Sequence, residues 1–366
     1  MLFLTVFLAG WFLILAVSTL LFAVRRGSPP QSLPTPLPRV SILVAARNEE
    51  TAIARCLGSL RALNYPAESV EILLGDDGST DATAAVAAEA MRGYAGTFRL
   101  VSIRETLGTA RGKANVLAHL TRAATANHFF ITDADIAVPP SWVRGLLAHA
   151  APGVGTVTGL TVVQGPRPFH RLQGLDWLLS LGLVQVVSDA GRPVTAMGNN
   201  MLVMRAAYEA TGGYEHLPFS VTEDYALFQA TLRQGFGFRN VFRPEVLAES
   251  LPMPSWPALL HQRRRWSRGV EGLPWWLQAG LLYYAGFYPA VLALAVLGGW
   301  LPAATVLLAK VLLQGTLAAL CFRRAGRRAP LHLLPLFELY TVALTASLLV
   351  FRLLPLSFDW KGRRYR

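Results

Sequence analysis

Residues 2–24, LFLTVFLAGWFLILAVSTLLFAV, carry no charged side chain. A helix needs about 20 apolar residues to cross a bilayer, and this run has them. A secretory signal would place basic residues before the apolar run and a small-residue cleavage site after it; here Arg25 and Arg26 follow the run. Residues 1–25 therefore read as an uncleaved anchor, and the positive-inside rule sets the chain beyond it in the cytoplasm. Apolar texture returns at about residue 279 and lasts to 356. The part over 281–322 is too long for one span and is broken at Gly298-Gly299-Trp300-Leu301-Pro302. It predicts helices at 281–299 and 303–322, followed by the basic loop 323–328 and a third stretch, 331–356, that carries Pro335, Glu338 and Arg352. Counting crossings returns the basic loop to the cytoplasm but leaves the C-terminus outside, against the charge of Lys361, Arg363, Arg364 and Arg366. A hydrophobic share of 53% with only 15% charged residues supports membrane segments over a wholly soluble chain.

Between these segments the texture is that of a soluble α/β domain. The proline-rich stretch 26–38 reads as an extended linker. From residue 39 to 255, apolar runs alternate with helical stretches: VSILVAA at 40–46, VEILLGD at 70–76, FRLVSI at 98–103 and HFFITDAD at 128–135, with helices near 49–63 and 81–92. That alternation predicts a mostly parallel sheet covered on both faces, with ligands bound beyond the carboxyl ends of its strands. A membrane-surface segment follows at 256–278, and a basic tail closes the chain at 357–366.

The formal charge of +12 comes from 34 basic and 22 acidic residues, and only three of the basic ones are lysines. Guanidinium groups suit anionic lipid and diphosphate oxygens. No zinc spacing, basic zipper or RNA-binding signature accompanies the charge, so nucleic acid is set aside. Cys56 and Cys321 form no disulfide framework and fit a reducing compartment.

Polar motifs fall at the strand ends. Arg47-Asn48-Glu49-Glu50 follows the first strand, where a turn into a helix offers N–H groups to a base or phosphate, or simply caps the helix. Asp76-Asp77-Gly78-Ser79 follows the second. Two adjacent acids can accept bonds from a nucleobase and ribose; an Asp-Gly turn is the plainer alternative. Asp133-Ala134-Asp135 aims two carboxylates outward, as a hard divalent cation bridging a diphosphate requires. Glu223-Asp224 opens a helix, where a carboxylate serves as general base or merely favours the dipole. Last comes Gln262-Arg263-Arg264-Arg265-Trp266, with guanidiniums for a diphosphate and an indole for a sugar or acceptor. Arg265 and Trp266 are expected at the site, and some of Arg263, Arg264 and Arg268 toward lipid. Trp275 and Trp276 read as interfacial anchors.

Together these motifs resemble glycosyltransferase family 2, the inverting enzymes with a GT-A fold. The resemblance covers residues 39–270, and Gln262, Arg265 and Trp266 carry its most specific motif. Gly198-Asn199-Asn200-Met201 and Gly212-Gly213-Tyr214 are similar to the family's acceptor-side segment, and Lys113 to the lysine of its Gly-Lys-Ala stretch. Arg47 has no counterpart role. The resemblance implies a Rossmann-like, mostly parallel cytoplasmic domain flanked by transmembrane helices, and a multi-pass protein of the cell membrane. It implies Asp224 as catalytic base with Glu223 beside it, and Mg2+ or Mn2+ on Asp135 and Asp133. Glu49, Asp76, Asp77, Lys113 and Asp133 would seat the nucleotide of a UDP-sugar, UDP-glucose first. Gln262, Arg265 and Trp266 would close over diphosphate and acceptor.

With about three apolar segments after the domain, the chain resembles lipid-directed members, and its closing Trp360-Lys361-Gly362-Arg363-Arg364-Tyr365 is similar to the end of those enzymes. A membrane-lipid hydroxyl is the leading acceptor. A processive polysaccharide synthase is second, and a non-catalytic membrane scaffold is the alternative of another class.

Overall fold

The computed structural model describes residues 1–25, 27–270, 273–353, 358–360 and 363–365, without the side chains of 267–270 and of 351 onward. The side chains of Arg268 and of the expected basic tail at 357–366 thus lie outside what the structure describes. The chain divides into two compact units: Gly27–Gln164 with Gly191–Leu251, and Met1–Arg26 with Gly165–Ala190 and Pro252–Arg366.

The first unit is the α/β domain. Its strands and helices run β1 (Val40–Ala46), α2 (Ile53–Arg61), β2 (Val70–Asp76), α3 (Thr83–Ala90), β3 (Thr97–Ser102), α4 (Lys113–Ala123), β4 (His128–Asp133), β5 (Ile136–Ala137), α5 (Trp142–Leu147), β6 (Val154–Thr158), β7 (Leu160–Val163), β8 (Asn200–Met204), α7 (Arg205–Ala210), α8 (Glu223–Arg233), β9 (Gly237–Asn240) and β10 (Leu247–Ser250), while α1 and α6 belong to the other unit. Seven strands order as β3-β2-β1-β4-β8-β6-β9, and β5-β10-β7 form a small second sheet. The pairs β1–β2, β2–β3 and β1–β4 are parallel, whereas β8 runs antiparallel to both β4 and β6. The mostly parallel sheet expected from the alternation is present.

Side-chain alternation explains its two cores. Val40, Ile42 and Val44 of β1 and Phe130 of β4 enter one cluster with α2 and Trp142, while Leu43, Phe129 and Ile131 enter the other with α4 and Phe228. Helix α4 lies so close to β2 that a Cβ on Gly75 would stand 2.3 Å from Val116 Cγ1, so glycine is required there. The strand order reverses between β2 and β4 around β1, which opens a crevice at their carboxyl ends. Register places Ala45 level with both Gly75 and Asp133, so the polar turns after β1, β2 and β4 meet at one edge. The proline-rich stretch from residue 27 to 38 forms no helix or strand, and it is docked: Leu33 and Leu37 pack on the core and Tyr65 Oη donates to Pro38 O at 2.6 Å.

The second unit is helical: α1 (Leu2–Val24), α6 (Pro168–Asp189), α9 (Trp256–Val270), α10 (Trp275–Ala285), α11 (Phe287–Gly298), α12 (Trp300–Arg324) and α13 (Leu334–Leu353). Four helical stretches among the described residues are long and apolar enough to cross a membrane: Leu2–Val24, Trp275–Gly298, Trp300–Arg324 and Leu331–Val350. The C-terminal ends of α1 and α12 meet, since Arg324 Nη1 donates to Arg25 O at 3.0 Å, so residue 25 and the 323–328 loop share one face. Helix α6 is a surprise. Its apolar residues follow no clean stripe, and nothing in the sequence marked it as a partner of the terminal helices. Arg263 and Arg264 turn inward: Arg263 pairs with Asp176 of α6, and Arg264 is 8% exposed. An acid on a neighbouring helix and two flanking indoles hold Arg263 better than a surface position could.

Candidate active site

Three carboxylates and one ammonium converge in the α/β unit. Lys113, the first residue of α4, reaches Asp133 Oδ1 at 2.6 Å and Glu223 Oε1 at 2.9 Å. Burial alone would push the Lys113 ammonium toward neutrality, but Asp133, Glu223 and Asp224 outweigh it and hold the group protonated well above its ordinary range. Strand β8 brings in the next element. Running antiparallel to β4, it pairs Asn200 with Thr132, so the segment before it starts beside the Asp133 turn. Asn200 is fully buried and bonds Trp142 Nε1, Leu160 O and Val246 O, which fixes that start. Thr132 Oγ1 donates to Asn199 O at 2.9 Å. Gly198 N–H then donates to Asp224 Oδ2 at 2.8 Å, and Tyr225 N–H to Oδ1 at 2.8 Å.

The approach of Gly198 is close enough to exclude any side chain: a Cβ there would stand 2.5 Å from Asp224 Cβ. Burial, then the adjacent Glu223 charge, raise the Asp224 carboxyl; Lys113 and the two N–H donors pull the other way, and the balance leaves it at about 6. A carboxylate with that affinity for protons is matched to taking one from a hydroxyl near neutral pH.

The other polar turns form a separate rim. Asn48, at φ 52°, accepts from Thr80 N–H at 2.9 Å and its own N–H donates to Ser79 Oγ at 3.0 Å. Glu49 N–H donates to Thr83 Oγ1 at 2.7 Å, and Glu50 Oε2 accepts from Ala82 N–H at 2.9 Å. Asp76 Oδ1 accepts from Ser79 N–H at 3.0 Å, so the turn-forming role of this acid is realised. Arg47 donates to Asp77 O and lies 3.9 Å from its carboxylate, a function that sequence reasoning did not give it. Arg55 was also missed. It donates to Asp135 O at 3.1 Å and pairs with Glu249 at 3.6 Å, tying the Asp133–Asp135 turn to β10. Only its place one turn into the first helix after the motif could have pointed to it.

Asp133 and Asp135 stand at the carboxyl end of β4, both half-buried. Among the described residues no three metal-ligating side chains surround a common point. Magnesium or manganese that arrives with a diphosphate needs only one or two protein carboxylates, because phosphate and water oxygens complete the shell. The donor set fits that kind of ion and not an all-protein cage.

A small cleft, with about 10 Å3 of space for a water-sized group, opens beside Glu223, walled by Ala114, Tyr214, Leu217, Phe219 and Ser220. The Tyr214 hydroxyl is buried there without a hydrogen-bond partner among the described residues, and burial with the neighbouring carboxylates raises its pKa far above normal. Gln262, Arg265 and Trp266 belong to the helical unit, on α9. The other expected site residues, Glu49, Asp76, Asp77, Lys113, Asp133, Asp135, Glu223 and Asp224, share the α/β unit.

The profile of the glycosyltransferase-like family 2 matches residues 38–269. The chain belongs to this family. A β-monoglucosyldiacylglycerol synthase of Synechocystis is 27% identical over 270 residues, covering 71% of this chain and 55% of that protein. A poly-β-1,6-N-acetyl-D-glucosamine synthase of Staphylococcus epidermidis is 26% identical over 234 residues, 63% of this chain and 54% of the relative. The chain thus spans about half the length of these curated relatives. Among solved structures, a mannosyltransferase of Pyrobaculum calidifontis in complex with GDP-Man and Mn2+ aligns over 95% of this chain and 97% of its own, with TM-score 0.63 and 22% identity. That likeness supports a GT-A fold for this family 2 chain.

Proposed function

We propose that this family 2 protein is an inverting hexosyltransferase of the cell membrane, moving glucose from UDP-glucose to the hydroxyl of a membrane lipid, with diacylglycerol the first acceptor to test. The observation that carries the reading is Asp224, held by two backbone N–H groups with its pKa raised to about 6 beside the Lys113–Glu223–Asp133 cluster. Asp224 takes the acceptor proton as the acceptor oxygen forms its bond to the anomeric carbon. The bond from that carbon to the diphosphate breaks on the opposite face, and the nucleoside diphosphate leaves with its electron pair. Lys113 keeps the acids together despite their mutual repulsion, and the rim from Asn48 to Asp81 offers turns for the nucleoside. Asp133 and Asp135 would hold a divalent cation, which neutralises the diphosphate when bound. Gln262, Arg265 and Trp266, on the helical unit, take the diphosphate and acceptor roles that the family resemblance implies, and the α/β unit is cytoplasmic in this reading.

The likeness to the Synechocystis β-monoglucosyldiacylglycerol synthase favours a lipid acceptor, and the likeness to the Staphylococcus poly-β-1,6-N-acetyl-D-glucosamine synthase supports a second reading, processive synthesis. Membranes bearing the full chain, given radiolabelled UDP-glucose and diacylglycerol, should yield label in the organic phase. Label retained as high polymer would favour the synthase, and no transfer from any UDP-sugar would overturn both.

A further inference from the structure

Outside the acidic cluster, unused hydrogen-bonding capacity gathers where α6, α9 and α13 pack. Arg263 of α9 pairs through its terminal nitrogen with Asp176 of α6. Its guanidinium carbon lies 4.6 Å from the Trp266 ring and 5.4 Å from the Trp177 ring, and the two indoles stand 4.6 Å apart. Tyr340 of α13, 5% exposed, borders the same cluster near Arg263 and Asp176, and packs on Trp256 at 5.7 Å. Three polar atoms here are buried without a hydrogen bond of good geometry among the described residues: Trp177 Nε1, Arg263 Nε and Tyr340 Oη, the last lying against the Arg263 guanidinium, from which it can accept. Each can donate, and leaving one unsatisfied in a dry setting costs about 1–3 kcal/mol. Donors unfilled together in an aromatic cage mark a place for acceptor oxygens.

Charge selects the ligand class. Asp176 already neutralises Arg263, so the cage offers neutral donors and indole faces in place of a free cation. We propose that Trp177, Arg263 and Tyr340 form a subsite for the neutral, ester-oxygen-bearing headgroup of a glycerolipid, which presents its free hydroxyl for transfer. This rests on the lipid-acceptor reading above and adds its recognition element. A phosphate-bearing polyprenyl lipid would instead need an unpaired guanidinium here.

The test uses the full chain in nanodiscs with diacylglycerol and UDP-glucose, comparing wild type with Trp177→Phe, Tyr340→Phe and the double variant. Each change deletes one donor; Tyr340→Phe keeps its ring, and Trp177→Phe keeps an aromatic face while trimming the indole to a phenyl. The double variant should raise KM for diacylglycerol about tenfold while KM for UDP-glucose stays within twofold. A photoactivatable diacylglycerol should label α6, α9 or α13 in wild type and less in the double variant. Unchanged lipid KM, an equal rise in both KM values, or labelling confined to other helices overturns the subsite while leaving lipid transfer intact. Wild type that glucosylates polyprenyl phosphate but not diacylglycerol overturns the choice of a neutral ligand. Transfer only to polymer or water overturns the acceptor reading and the subsite with it.

Discussion

Two lysines in this chain each meet carboxylates at hydrogen-bond distance, in different surroundings. Lys113 touches Asp133 and Glu223 and feels Asp224, so one positive charge faces three negative ones in a partly open site. Lys310 of α12 meets Glu338 of α13 at 2.6 Å, with Tyr288 of α11 donating to the same carboxylate at 2.9 Å, and is 1% exposed. The second group is balanced and sealed, so it pins three helices and has no capacity left over. The first has spare acid and a raised base. Where charge is left unbalanced beside a cleft, chemistry is the economical explanation; where it closes on itself inside an apolar bundle, structure is.

Removing the two lysines should therefore break different things. Lys113→Met should lower kcat for sugar transfer about 10²–10³-fold, in line with losing one placed electrostatic group, with a small shift in unfolding temperature. Gly198→Ala should cost about 10²-fold in kcat, because the new Cβ displaces Asp224 from its N–H donors; circular dichroism should stay unchanged. Lys310→Met should leave transfer per folded molecule near wild type but destabilise the bundle by about 3–5 kcal/mol, read as a lowered midpoint in detergent. Lys310→Met with Glu338→Leu should recover most of that loss; if it does not, the pair does more than hold helices. The smallest effect concerns pH. Asp224 must be deprotonated to act, so kcat/KM should fall tenfold per unit below about pH 6. Lys113 pulls this pKa down, so its removal should move the inflection to higher pH.

Much of this was legible in the sequence for a simple reason: strands buried on both faces are continuous apolar runs, and their ends are marked by acids. The first two strands are observed at the expected 40–46 and 70–76, and the acids at 133, 223 and 224 are brought together as their motifs suggested. Helix–sheet pairing was less visible. The antiparallel β8 depends on pairing Asn200 with the distant Thr132, and the role of Gly198 on a contact across 26 residues of sequence to Asp224; no local period encodes either. The terminal helices were seen as apolar stretches, but their bounds shifted: helix already begins at Trp275, and the break falls at Gly299, whose φ of 92° ends α11. The partner of Arg263 was not visible, because Asp176 sits 87 positions away on a helix without a clear stripe.

The most direct test of the account is kcat of Asp224→Asn at pH 8, measured as labelled glycolipid formed in nanodiscs, beside the binding of UDP-glucose to the same variant. The amide keeps size and one acceptor oxygen but cannot take the proton. The account predicts a fall of about 10²–10⁴-fold with donor affinity retained. Turnover within a few fold of wild type would contradict it and move the base elsewhere.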